Sequence, residues 1–182
     1  MYKRQHLDYF LRALYALLAD QDGGLLIHAA GLQNPADGRV YLFTGQSGSG
    51  KSTVVALSPW ATALNDDLIL LRPQEAHWTA YGTPFWNSET VQRAGQTCRG
   101  PVAGVYPLIQ DSQVYLEALS PGRATAALAA NCPILNADVG RLPALLQRCL
   151  AVAAAAPVQR LHFRKAPGFW DLLIGKAGLR AT

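Results

Sequence analysis

Charge is scarce in this sequence. Only 15% of its 182 residues are Asp, Glu, Lys or Arg, and the basic ones are spread along the chain. A nucleic-acid face needs a concentrated basic patch, so this dispersal argues against nucleic acid as a partner. The net charge of +4 and pI of about 9.1 suit ATP or an acidic peptide equally well. Cysteine is sparse too. Cys98, Cys132 and Cys149 are odd in number and far apart. They form no C-x-x-C pair and no metal-ligand set, so reduced thiols in a cytoplasmic protein are expected. No apolar run reaches membrane-spanning length, since Ala151–Ala156 is only an Ala-rich helix end, and no membrane partner is expected. Met1–His6 leads into a helix carrying Asp8 and Arg12 rather than into a secretory leader. No repeat, low-complexity tract or linker divides the chain.

What is there is apolar material in useful patterns. Half of the residues are hydrophobic, enough for a sizeable core in a chain of one-domain size. Leu7, Phe10, Leu11, Leu14, Leu17 and Leu18 recur at helical spacing. They predict an amphipathic helix over 6–19, within an N-terminal unit 1–24. Its apolar face needs a partner, either the main sheet or another subunit. Strands are predicted over 25–32 and 40–44, joined by the turn Asn34-Pro35-Ala36-Asp37-Gly38. So short a turn makes the pair an antiparallel hairpin. A strand is expected over 65–71 and another over 77–82, followed by an aromatic-rich loop over 83–89. The stretch 93–101 has no clear period and reads as a mobile loop. Strands over 102–109, 114–119 and 158–164 and helices over 121–130, 141–155 and 167–176 complete the chain. Residues 25–182 are expected to form one compact α/β unit with a mixed central sheet flanked by helices.

The most specific stretch is Gly45-Gln46-Ser47-Gly48-Ser49-Gly50-Lys51-Ser52. It fits G-x-x-x-x-G-K-[ST], a phosphate-binding P-loop, and lies where it should, between a buried strand and a helix opening at Thr53. Glycines let the backbone come close to a ligand, and successive N–H groups cradle phosphate oxygens. Lys51 supplies a point charge for the phosphates, and the Ser52 hydroxyl is suited to Mg²⁺. Beyond the helix, Asp66-Asp67 offers one carboxylate for Mg²⁺ and one to accept a proton from an attacking hydroxyl. Adjacent strand residues face opposite ways, so both can serve only where the strand begins or bends. His28 lies on the strand expected to pair with the P-loop strand. Glu89 is a candidate second metal ligand. Arg93, Arg99 and Arg123 are candidates for γ-phosphate charge, and Phe85 and Trp86 for a pocket wall.

Leu26-Ile27-His28-Ala29-Ala30-Gly31, the P-loop and Asn65-Asp66-Asp67 together resemble the catalytic domain of HPr kinase/phosphorylase and its shorter kinase relatives. Gly82-Thr83-Pro84-Phe85-Trp86 and the tail from Arg160 to Trp170 are similar to segments of the shorter relatives. The resemblance implies a P-loop fold related to HPr kinase and phosphoenolpyruvate carboxykinase. It implies ATP and Mg²⁺ as cofactors and a protein or peptide substrate carrying a Ser or Thr hydroxyl. It makes Asp67 the catalytic base with Asp66 beside it and His28 a catalytic-site residue. The family's own metal-binding glutamate has no match here, Thr79 lying about there, and Glu89 takes that role in its place. The family's hexameric habit, with the N-terminal amphipathic helix, points to homo-oligomers. The alternatives are a nucleotide-binding sensor without phosphotransfer and a small-molecule P-loop kinase.

Overall fold

Strand β1 (Leu25–Gln33) is buried along nearly its whole length, and a strand buried on both faces has to be central. The structure, a computed structural model, describes residues 2–86, 98–133 and 135–175. β1 turns through Asn34–Gly38 into β2 (Val40–Thr44), and the two pair antiparallel from Ala29↔Thr44 to Gln33↔Val40. The expected hairpin is therefore present. Its turn is held by Asn34 Oδ1, which accepts from the Ala36 amide at 3.0 Å.

β1 changes partner half-way. Leu25–His28 pair with β4 (Leu68–Pro73), and Gly31–Gln33 pair with β3 (Thr62–Asn65). The single strand expected over 65–71 is thus two strands, broken at Asp66-Asp67. The cause is Asn65, whose Oδ1 accepts from the amides of Asp67 at 2.7 Å and Leu68 at 3.0 Å. A side-chain acceptor of this kind competes with the strand ladder and bends the chain.

Strands β5 (Trp78–Gly82), β6 (Arg99–Gln110), β7 (Tyr115–Ala118) and β8 (Gln159–Phe163) extend the pairing in the order β2-β1-β4-β5-β6-β8-β7. β6 also runs parallel to β2, from Val40↔Val102 to Thr44↔Pro107, so β1, β2, β6, β5 and β4 close into a ring. The sheet is mixed, as expected. β6 starts three residues inside the stretch read as a mobile loop, because Gly100 and Pro101 pair with Ala80 and Thr79. A Cβ at Gly100 would run into the Gly38 carbonyl oxygen. The close approach demands a small residue there, and that erased the periodic signal. Residues 93–97 lie outside the described residues.

Helices α2 (Lys51–Ala56) and α5 (Trp170–Ile174) pack with an aromatic cluster of Tyr41, Phe43, Tyr106, Phe169 and Trp170 on one side. Helices α3 (Pro121–Ala130) and α4 (Leu142–Ala155) cover the other side, where Cys132 and Cys149 are buried as thiols. The last helix is shorter than predicted. Pro167–Phe169 form a 3₁₀ turn, and Gly175 at φ +69° ends the helix.

The N-terminal helix α1 (Tyr2–Gln21) meets the sheet with its small residues, and of its leucines only Leu17 packs against the core. Its small residues Ala16 and Ala19 are buried against Leu26, Leu68, Leu70 and Phe85. Leu7, Phe10, Leu11, Leu14 and Leu18 face outward, each between 42% and 62% exposed. The sheet is therefore not the partner of the leucine face.

Candidate functional site

β2 ends at Thr44, the glycine-rich loop follows, and α2 begins at Lys51, two residues earlier than expected. Gly50 takes φ +112°, and a Cβ there would stand 2.5 Å from Phe163 Cζ. Only glycine meets both conditions. Lys51 is nearly buried, and its Nζ donates to the carbonyls of Gly45 at 2.6 Å and Gln46 at 3.2 Å. Burial lowers the Lys51 pKa, while the charge of Asp67 acts the other way. α2 has six residues, under two turns, so the positive character of this loop rests on side chains more than on a helix dipole.

A cleft of about 290 Å³ opens beside the loop. It is lined by Ser47, Gly48 and Gly50 to Thr53, and across from them by His28, Asp66, Gln110 and Lys165. Of the expected loop residues, Gly45, Gln46 and Ser49 do not line it. Gly45 and Gln46 hold Lys51 instead. Ser49 Oγ and the neighbouring Thr44 Oγ1 are buried without a hydrogen-bond partner among the described residues.

Asp67 lines a second cavity of about 500 Å³ between α1 and the end of α3. At the bend made by Asn65, Asp66 lines the cleft and Asp67 the adjoining cavity, from which its charge still reaches Lys51. Arg12 Nη1 donates to Asp67 Oδ2 at 2.5 Å, and Arg12 Nε donates to Asp8 at 2.7 Å. The Arg12 guanidinium also lies 5.1 Å over the Phe85 ring. His28 Nε2 stands 3.4 Å from Asp67 Oδ1. Burial pushes the Asp67 carboxyl up, but the contacts from His28 and Arg12 outweigh it and hold the carboxyl below its ordinary range. His28 lines both cavities. It sits where β1 passes from β4 to its other partners, with its amide bonded to the Asn131 carbonyl at 2.6 Å.

Several expected residues stand elsewhere. Arg99 opens β6 beside the start of β2, the end of the ladder remote from the loop, and its carbonyl accepts from Gln33 at 3.0 Å. Arg123 is exposed in the first turn of α3. Phe85 is buried beneath α1, 5.5 Å edge-on to Tyr15, and neither Phe85 nor Trp86 lines either cavity. Glu89 and Arg93 lie outside the described residues.

Four residues to which the sequence reading gave no site role shape the site: Asn65, Arg12, Gln110 and Lys165. Gln110 Nε2 donates to the Gly48 carbonyl at 2.8 Å. Lys165 follows β8, which runs parallel to the end of β6. The carboxyl ends of parallel strands are where ligands of α/β sheets gather, so Phe163-Arg164-Lys165 carried a usable signal. Among the described residues, no group of three or more His, Cys, Asp or Glu is arranged to hold a metal. A Mg²⁺ site built from one or two carboxylates and substrate phosphates needs no such group, and Ser52 with Asp66 fits that pattern.

No family model matches the sequence. No curated protein matches it either. Among solved structures the chain is similar to the HPr(Ser) kinase/phosphatase from Coxiella burnetii, at 12% identity over 85% of this chain and 97% of that one, with a TM-score of 0.46. At that TM-score the likeness assigns neither residue roles nor activity.

Proposed function

We propose that this chain is a kinase that transfers the γ-phosphoryl group of ATP to a Ser or Thr hydroxyl of a protein or peptide. The observation that supports the reading is that Asp66 lines the cleft with Lys51 and Ser52 while Asp67 lines the adjoining cavity, the two sharing His28. One peptide unit divides a phosphate side from an acceptor side, with His28 on both. On the phosphate side, loop amides cradle the triphosphate, and Lys51 exchanges the Gly45 and Gln46 carbonyls for phosphate oxygens. Gln110 and Lys165 form the facing wall. Ser52 and Asp66, with Glu89 as a third candidate, would hold Mg²⁺, which when bound neutralises phosphate charge. On the acceptor side Asp67 takes the hydroxyl proton, oriented by Arg12 and His28. The protein or peptide acceptor is the part drawn from the sequence resemblance. A cytoplasmic location, and self-association through the outward leucines of α1, belong to the same reading.

Lys51→Ala is expected to weaken ATP binding on the order of 100-fold, read by calorimetric titration. Asp67→Asn is expected to keep ATP affinity within about twofold and to lower phosphotransfer on the order of 10²–10⁴-fold. Transfer by Asp67→Asn at the wild-type rate would remove the base assignment.

A sensor that binds ATP without transferring phosphate is the second reading. Its support is that Arg12 already occupies Asp67 and the loop carbonyls already occupy Lys51. Incubation with labelled ATP and the peptide or carrier protein encoded beside this chain separates the two. Under the kinase reading that partner becomes labelled, and under the sensor reading it stays unlabelled.

A further inference from the structure

The cavity between α1 and the end of α3 has more to say than its contact with Asp67. Its volume of about 500 Å³ is that of a ligand site rather than a packing defect. Its walls are mostly apolar: Tyr9 and Ala13 from α1, Leu68 from β4, and Ala130 and Pro133 at the end of α3, with Asn131 between these last two as the one side-chain amide. Polar groups collect at one end, where Asp67, His28 and Arg12 meet. Arg12 is matched by Asp67 and Asp8, so an anionic acceptor finds no unmatched cation there. A sugar or other polyol would leave hydroxyls facing Ala13, Leu68 and Ala130, at a desolvation cost for each one unpaired.

Resting on the kinase reading above, the geometry points to this cavity as the acceptor site, built for a Ser or Thr flanked in its peptide by a bulky apolar side chain. The hydroxyl reaches Asp67 and His28 at the polar end, and the flanking side chain fills the apolar end. In the transfer, the acceptor oxygen forms its bond to the γ-phosphorus. The bond from that phosphorus to the bridging oxygen breaks, ADP leaves, and the hydroxyl proton passes to Asp67. α1 is then the specificity element of the molecule, since it supplies Tyr9, Arg12 and Ala13 together.

The test uses the full chain, γ-labelled ATP with Mg²⁺, and two pools of synthetic heptapeptides with a central Ser. One pool carries Leu or Phe beside the Ser, and the other carries Asn or Gln. The apolar pool is expected to be labelled faster by about tenfold or more, the scale set by burying one large aliphatic side chain. Ala13→Trp and Ala130→Trp fill the cavity from opposite walls. Each is expected to lose labelling of the apolar pool by about tenfold or more while a fluorescent ATP analogue binds within about twofold of wild type. If one variant fails to bind the analogue, the other decides. Wild-type protein that binds nucleotide but labels neither pool, labels the polar pool as fast, or labels free hexose or glycerol instead overturns this site assignment alone. Wild-type protein that binds no nucleotide removes the kinase reading, and this inference with it. Unchanged peptide labelling in both Trp variants also overturns the assignment.

Discussion

Asn65 decides where two carboxylates point. By accepting the Asp67 and Leu68 amides it ends β3, opens β4, and leaves Asp66 lining the cleft and Asp67 the adjoining cavity. Its own amide is anchored on the Thr83 carbonyl at 2.9 Å. Gly50 is the other residue on which the cleft depends. In Gly50→Ala, a backbone at φ +112° and a Cβ 2.5 Å from the Phe163 ring strain the loop together. The expected result is a loss of about 1–3 kcal/mol of stability and weakened nucleotide binding, read by thermal unfolding and by titration. At this scale the sequence was partly readable. A P-loop is local, so its spacing, Lys51 and Ser52 can be read directly. Arg12 was not readable, because its Asp67 partner is 55 residues away. In sequence it looks like half of an ordinary i,i+4 surface pair with Asp8.

Among the elements, α1 shows the sharpest difference between pattern and placement. Its period was legible, but the period does not say which face goes inward. Close approach to β1 and β4 admits Ala16 and Ala19 and leaves Leu7, Leu11, Leu14 and Leu18 outside. The helix is held at its end by an ion pair instead. Asp20, nearly buried, accepts from Arg141 Nη1 at 2.5 Å and from Arg148. Burial pushes the Asp20 carboxyl up, and the guanidiniums of Arg148 and Arg141 outweigh this and hold it below its ordinary range. A carboxyl whose folded pKa is depressed stabilises the fold above its unfolded pKa of about 3.9, and that share is lost as pH falls through the folded value. Asp20→Asn is therefore expected to cost about 2 kcal/mol at neutral pH. The gap to wild type should close below about pH 4, as followed by urea unfolding across a pH series. The hairpin of β1 and β2 was legible because its turn is written in Asn34, Pro35 and Gly38. The break between β3 and β4 falls at Asn65-Asp66-Asp67, polar residues that scan as the start of one strand rather than as the joint between two.

For the whole molecule, the sequence indicated a mixed α/β sheet but not its closure. The ring depends on β6, which pairs with β5 through Arg99–Pro101, with β2 through Val102–Pro107 and with β8 through Leu108–Gln110. No local period records three successive partners. The closure brings Gln110 and Lys165 across from the P-loop, and neither could be assigned there from spacing alone. The separation of Asp66 from Asp67 has a further consequence, for wasted turnover. Under the kinase reading the attacking hydroxyl comes from the Asp67 side, and most of the wall there is apolar. Apolar cavities hold water poorly, so idle consumption of ATP should be slow until an acceptor is present. Ala130→Asn, which adds a second amide beside Asn131 on that wall, is expected to raise acceptor-free phosphate release by several-fold, on the order of 1 kcal/mol in barrier. A continuous phosphate assay reads it, and release unchanged from wild type would mean that the dryness of the acceptor side is not what spares the nucleotide.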